Sequence, residues 1–99
     1  RLVEIARALA TRPKLLLLDE PASGLSDAEG DELADLLTEL AESGLGILLV
    51  EHDVPLVMRV CEMIYVLDFG AVLASGSAHE IQADRHVQEA YLGTDEGVA

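Results

Sequence analysis

Three residues have the types and placement for chemistry on a phosphate: Asp19, Glu20 and His52. Asp19 and Glu20 directly follow the apolar run 14–18 (KLLLL), and Glu51 and His52 directly follow a second run, 45–50 (LGILLV). Phosphoryl oxygens are anionic, so their chemistry asks for Mg²⁺, a hard cation that takes oxygen ligands such as Asp19, often through water. Attack by water needs a carboxylate that orients it and accepts its proton, the role open to Glu20. A histidine that hydrogen-bonds the terminal phosphate and steadies the base is the role open to His52. Taken singly, each has a plainer reading. An Asp-Glu pair after an apolar run is commonly a solvated strand end, and a single His beside a strand is commonly structural. Glu51 reads as structural rather than catalytic. His79 and His86 read as solvent-facing and do not stand at metal-ligand spacing. Specificity comes from the order LLLLDEP, then SGLS, then LLVEHD.

The elements that must position these residues follow from pattern. In residues 1–10 (RLVEIARALA), Leu2, Ile5, Ala6 and Leu9 recur at the spacing of an amphipathic helix. That helix starts in mid-pattern without a capping residue, so the chain reads as a fragment. Pro13 ends it and, with Pro21, brackets 14–18 as a buried strand. Ser26 and Glu29 form a capping box opening a helix whose Leu33, Leu36, Leu37 and Leu40 share one face and whose acids lie largely on the other. Ser43-Gly44 closes it. The run 45–50 is a second buried strand. Asp53 caps a short helix over 54–61, with Pro55 in its first turn. Residues 63–68 and 71–75 make a hairpin around Phe69-Gly70. Ser77 and Glu80 form a second capping box, and Asp84 caps a last helix ending at 91–93, before a loose tail.

This order spells an α/β fold: a parallel sheet with flanking helices, then a C-terminal β-hairpin and helices. Strand–helix–strand units of this length give parallel, right-handed crossovers, and ligands of such sheets bind beyond the carboxyl ends of the strands. If the two strands are neighbours, Asp19, Glu20 and His52 share one rim.

Composition narrows the partners. Of 99 residues 51% are hydrophobic but only 3% aromatic, an aliphatic core suited to strands covered on both faces. The formal charge is −13, split as +3 over residues 1–14 and −16 beyond them. So acidic a surface argues against nucleic acid and against adhesion to anionic lipid. The single Cys61 allows no internal disulfide and reads as a small core hydrophobe. No apolar run approaches the roughly 20 residues of a membrane span, and no signal peptide is visible.

RLVEIARALATRPKLLLLDEPASGLS…ILLVEHD resembles the part of ATP-binding-cassette ATPases that follows their signature motif. The resemblance spans residues 1–93, leaving 94–99 as a disordered tail, and implies the C-terminal half of a P-loop NTPase-like cassette. It assigns residues 15–18 with Asp19 to the Walker B strand and to Mg²⁺, Glu20 to the catalytic glutamate, and His52 to the switch histidine that senses the terminal phosphate of ATP. Ser23, Gly24, Leu25 and Ser26 match the D-loop that crosses between two cassettes. The D-loop's usual acid is Ser26 here, with Asp27 one place later. The ending is similar to the cassettes of branched-chain amino acid importers. The resemblance implies transmembrane permease subunits and a second cassette as partners, no nucleic acid, and a cytoplasmic place on the inner face of the membrane. No GxxxxGK[ST] phosphate loop and no signature stands in these 99 residues. The chain by itself is therefore expected neither to hold ATP firmly nor to hydrolyse it, and to be poorly soluble. Two other readings are a soluble relative serving DNA maintenance and a truncated cassette that acts only by pairing.

Overall fold

The computed structural model describes residues 2–92, in two compact units divided after Val60. The first runs α1 (Leu2–Leu9), β1 (Leu15–Asp19), α2 (Asp27–Glu42), β2 (Gly46–Val50) and α3 (Val54–Val60). The strands pair in parallel, in register from Leu15 opposite Gly46 to Asp19 opposite Val50. They are neighbours, as the site reading requires.

One cluster holds this unit together. Ile5 of α1, Leu16 of β1, Leu33, Ala34 and Leu37 of α2, and Leu56 of α3 are buried against one another, with Leu18, Ile47 and Leu49 packed alongside. The capping box that opens α2 is fully formed, with Ser26 taking the Glu29 amide and Glu29 taking the Ser26 amide. Gly44, at φ 102°, lies just past the helix in the left-handed region that ends helices. Asp53 caps α3, its Oδ1 accepting the Leu56 amide at 3.2 Å. Arg59 then ties α3 to α2 through Asp31 at 2.9 Å and Asp35 at 2.8 Å. These pairs are solvent-exposed and worth at most about 1 kcal/mol each.

The structure corrects the expectation of strands buried on both faces. Helices α1, α2 and α3 all feed one cluster and so cover one face of the sheet. Leu15, Leu17, Leu48 and Val50, which period-two alternation puts on the other face, are each more than half exposed. Ala6 is also exposed, whereas Ala8 packs on the core instead.

The second unit holds β3 (Ile64–Asp68) and β4 (Ala71–Gly76), an antiparallel hairpin, followed by α4 (Ala78–Ala83) and α5 (Arg85–Val87). Phe69 and Gly70 have φ of 51° and 78°, the paired left-handed turn that matches the twist of a two-residue hairpin. A bulge between Val66 and Leu67 shifts the register. Ser77 and Glu80 form the second capping box, and Ile81 and Val87 are buried. Asp84 caps as expected, its Oδ1 accepting the Val87 amide at 3.1 Å. The expected single helix to 91–93 is instead three α-helical residues followed by a wider π-helical turn, Gln88–Leu92. Here Gln88 donates to the Gln82 carbonyl and the Tyr91 hydroxyl to that of Leu67. Cys61 is half-buried rather than a core residue. The expected tail at 94–99 lies outside the described residues. No helix among those described is long and apolar enough to cross a membrane.

Candidate active site

In-register parallel pairing brings the carboxyl ends of β1 and β2 side by side. The Glu20 amide donates to the Val50 carbonyl at 2.7 Å, extending the ladder one residue past Asp19. Glu20 itself has φ 50°, left-handed backbone that costs a side-chain-bearing residue roughly 1–2 kcal/mol. It turns the chain off the strand into two short turns, closed by the Ser23 amide on the Glu20 carbonyl and the Leu25 amide on the Ala22 carbonyl. Across the rim, Nδ1 of His52 lies 3.2 Å from Oε1 of Glu20, and both side chains remain at least half exposed. A carboxylate and an imidazole this close, both open to water, are suited to holding a water molecule between them and sharing its proton.

Asp19 sits on the same rim but apart from this pair. Among the described residues it makes no hydrogen bond or ion pair with Glu20 or His52. Strand alternation puts it on the face of Leu15 and Leu17, and it also borders a shallow cavity of about 240 Å³ beside β1 whose lining includes Glu4, Ile5, Leu16, Leu18 and Pro21. No group of three His, Cys, Asp or Glu among the described residues converges to hold a metal unaided. Mg²⁺ usually takes one or two carboxylates and fills its remaining positions with water and substrate phosphates. Asp19, ending a strand with its carboxylate exposed, is the residue here that would serve it.

Between the pair and the loop lies a carboxylate that sequence reading set aside. Oε2 of Glu51 accepts the Ala22 amide at 2.8 Å, while its Oε1 accepts the amides of His52 at 3.1 Å and Asp53 at 3.3 Å. The structural reading of Glu51 agrees with this, but its link to the distant loop was not foreseen. Nothing in the local spacing points from residue 51 to residue 22, 29 positions away.

The loop residues 23–26 divide in their roles. Gly24 is exposed at φ 79°, and a Cβ there would meet nothing within 4 Å, so the backbone conformation is what favours glycine. Leu25 packs on the core, whereas Ser23 is exposed and Ser26 uses its hydroxyl to cap α2. Elsewhere, hydrogen bonds from Ser26 and Ser77 hold the Glu29 and Glu80 carboxyls below the usual value. Burial raises the Cys61 thiol, which keeps it protonated and a poor nucleophile.

Residues 71–97 match the family described as branched-chain amino acid ATP-binding cassette transporter. The chain is 43% identical to the lipopolysaccharide export system ATP-binding protein LptB of Escherichia coli, across 96% of this chain and 39% of that protein. It is 46% identical to the high-affinity branched-chain amino acid transport ATP-binding protein BraF of Pseudomonas aeruginosa, across 94% and 37%. The crystal structure of an ABC transporter's ATP-binding cassette in its ADP conformation superposes with a TM-score of 0.82 at 32% identity, covering 93% of this chain and 38% of that one. This chain belongs to the ATP-binding-cassette ATPases. Its α/β fold is that of the cassette. It spans well under half the length of these cassette relatives.

Proposed function

We propose that this chain is the hydrolytic C-terminal portion of the ATPase subunit of an ABC transporter. The observation that carries the reading is the Glu20–His52 contact at the joined ends of two parallel strands. Glu20 orients the attacking water and takes its proton, and His52 holds Glu20 while donating to the terminal phosphate. Asp19 would hold Mg²⁺, often through water; when bound, the ion neutralises the phosphate oxygens. Ser23, Gly24, Leu25 and Ser26 form the surface toward a second cassette. The phosphates themselves need a backbone cradle and a Lys, and no such loop occurs in these 99 residues. Alone, therefore, the chain holds ATP poorly and does not turn it over. Hydrolysis belongs to the longer protein, paired with a second cassette and docked through permease subunits on the cytoplasmic face of the membrane.

The family match over 71–97 and the likeness to BraF support uptake of branched-chain amino acids as the transport driven. The 43% identity to LptB favours an export system as the second reading. The deciding experiment on hydrolysis is Glu20→Gln in the longer protein. ATP should remain bound while turnover falls by at least about a hundredfold. Turnover at the wild-type rate would remove Glu20 from the mechanism. Saturable ATPase activity of residues 1–99 alone, lost in Glu20→Gln, would overturn the claim that the chain is inactive alone.

A further inference from the structure

We propose that Glu51 is a positioning residue for hydrolysis, fixing loop 20–26 and the His52 segment as one unit; this rests on the function proposed above. A single half-buried carboxylate accepts three backbone amides from two separate stretches of chain. Ala22 donates at 2.8 Å from the loop that follows Glu20, and His52 and Asp53 donate at 3.1 and 3.3 Å from the segment that follows β2. Each stretch lacks regular structure of its own here, because β1 ends at Asp19 and β2 at Val50. Past the ladder bond from the Glu20 amide to the Val50 carbonyl, the link across the two stretches is made by side chains. Of these, the Glu20–His52 contact joins two exposed groups that must move during a reaction, whereas Glu51 binds backbone to backbone.

The chemistry of the residue type suits the task. A carboxylate has two oxygens and only accepts, so it serves donors on both sides at once. Glutamine offers one acceptor oxygen and an NH₂ that opposes an amide N–H, and can satisfy one side only. Alanine satisfies neither. Loss of the bridge lets the Ala22 side and the His52 side drift independently, and a misplacement of about 1 Å is enough to cost up to a hundredfold in rate. Glu51 touches no reacting atom in this scheme and acts through Glu20 and His52.

The test uses the full-length cassette protein that contains this chain, with Glu51→Gln and Glu51→Ala beside Glu20→Gln. Expected are falls in kcat of roughly ten- to a hundredfold for Glu51→Ala, a smaller fall for Glu51→Gln, and KM for ATP within about twofold of wild type. The backbone amide resonances of Ala22, His52 and Asp53 should all move in Glu51→Ala. In Glu51→Gln those on one side of the bridge should move more than those on the other. Because Gln is nearly isosteric, that variant serves if Glu51→Ala does not fold. Wild-type kcat in Glu51→Gln with all three amides unmoved would overturn the inference. A rise in KM with kcat unchanged would also overturn it, marking a binding effect. If Glu20→Gln itself turns over normally, the reading of hydrolysis fails instead. A normal Glu51→Gln beside an inactive Glu20→Gln sinks only the role given to Glu51.

Discussion

His52 and Glu20 are held 3.2 Å apart by the pairing of β1 with β2, although neither belongs to a strand. Their side chains are 75% and 50% exposed, so water screens the contact and it adds little to folding. His52→Ala should therefore lower the unfolding free energy of this chain by less than about 1 kcal/mol. In the longer protein the same change should cut ATP turnover by roughly a hundredfold or more, as loss of a partner in proton transfer does. Denaturant unfolding and steady-state ATPase assays check the two halves. A large loss of stability with modest loss of rate would make His52 a structural residue.

The open face of the sheet carries a second consequence. Leu15, Leu17, Leu48 and Val50 are 54–65% exposed, and Leu17 pairs with Leu48 at its centre. Contiguous apolar surface beside two unpaired strand edges favours association. The 99-residue chain should self-associate with rising concentration in light scattering, and Leu17→Lys with Leu48→Glu should shift it toward monomer. A wild-type chain that stays monomeric across that range contradicts this.

The features legible in the sequence were those set by local rules. Ser26 with Glu29, Ser77 with Glu80, Asp53, Gly44 and the Phe69-Gly70 turn each act over a few residues, and each sits where pattern put it. Parallel pairing was readable because residues 15–18 and 45–50 are both short apolar runs separated by a capped helix. The open sheet face was not readable. Continuous leucines fit a strand covered on both faces as well as one covered on a single face, and which applies depends on how many helices the chain supplies. At the rim, the meeting of Glu20 and His52 was foreseen from the strand ends. The Glu51 bridge was not, because an acceptor reaching from residue 51 to residue 22 leaves no trace in local spacing. The π-helical turn of Gln88–Leu92 was missed for a similar reason. It comes with side-chain bonds from Gln88 and Tyr91 to distant carbonyls, whereas local propensity favours continued α-helix.

The two capping boxes make stability depend on acidity with a defined sign. Glu29 and Glu80 have carboxyls lowered from 4.5 by hydrogen bonds from Ser26 and Ser77, and both are exposed. A lowered folded value means that the ionised form favours folding. That contribution is complete above the unfolded value and is lost as pH falls through the lowered, folded one. Glu29→Gln with Glu80→Gln keeps an acceptor at each third helical position but removes the proton equilibrium. Thermal melts of the double variant should lose less between about pH 5 and pH 3 than those of wild type. Parallel pH profiles for the two proteins would show that the boxes do not contribute through ionisation.

Gly76 joins β4 to the second of these boxes and leaves no room for a side chain. Its φ is 155°, and a Cβ built there would lie 2.6 Å from Oε1 of Glu80 and 3.1 Å from that residue's Cβ. The carboxylate could swing aside, but the same Oε1 accepts the Ser77 amide at 2.8 Å, so relief of the clash breaks the cap. The Glu80 Cβ is fixed to helix α4 and cannot retreat without moving the helix on which Ile81 is buried. Gly76→Ala therefore combines an unfavourable backbone with a lost cap, and should cost about 2–4 kcal/mol. Glu80→Ala alone should cost about 1 kcal/mol, since with Gly76 in place it removes only the carboxylate of the capping box. On a Glu80→Ala background, Gly76→Ala should cost less than it does in wild type, because the 2.6 Å collision with the carboxylate is gone and only the contact with the Cβ of residue 80 remains. Unfolding free energies of the four proteins close the cycle. Strict additivity would mean that Gly76 is required for its backbone alone and not for the space it leaves to Glu80.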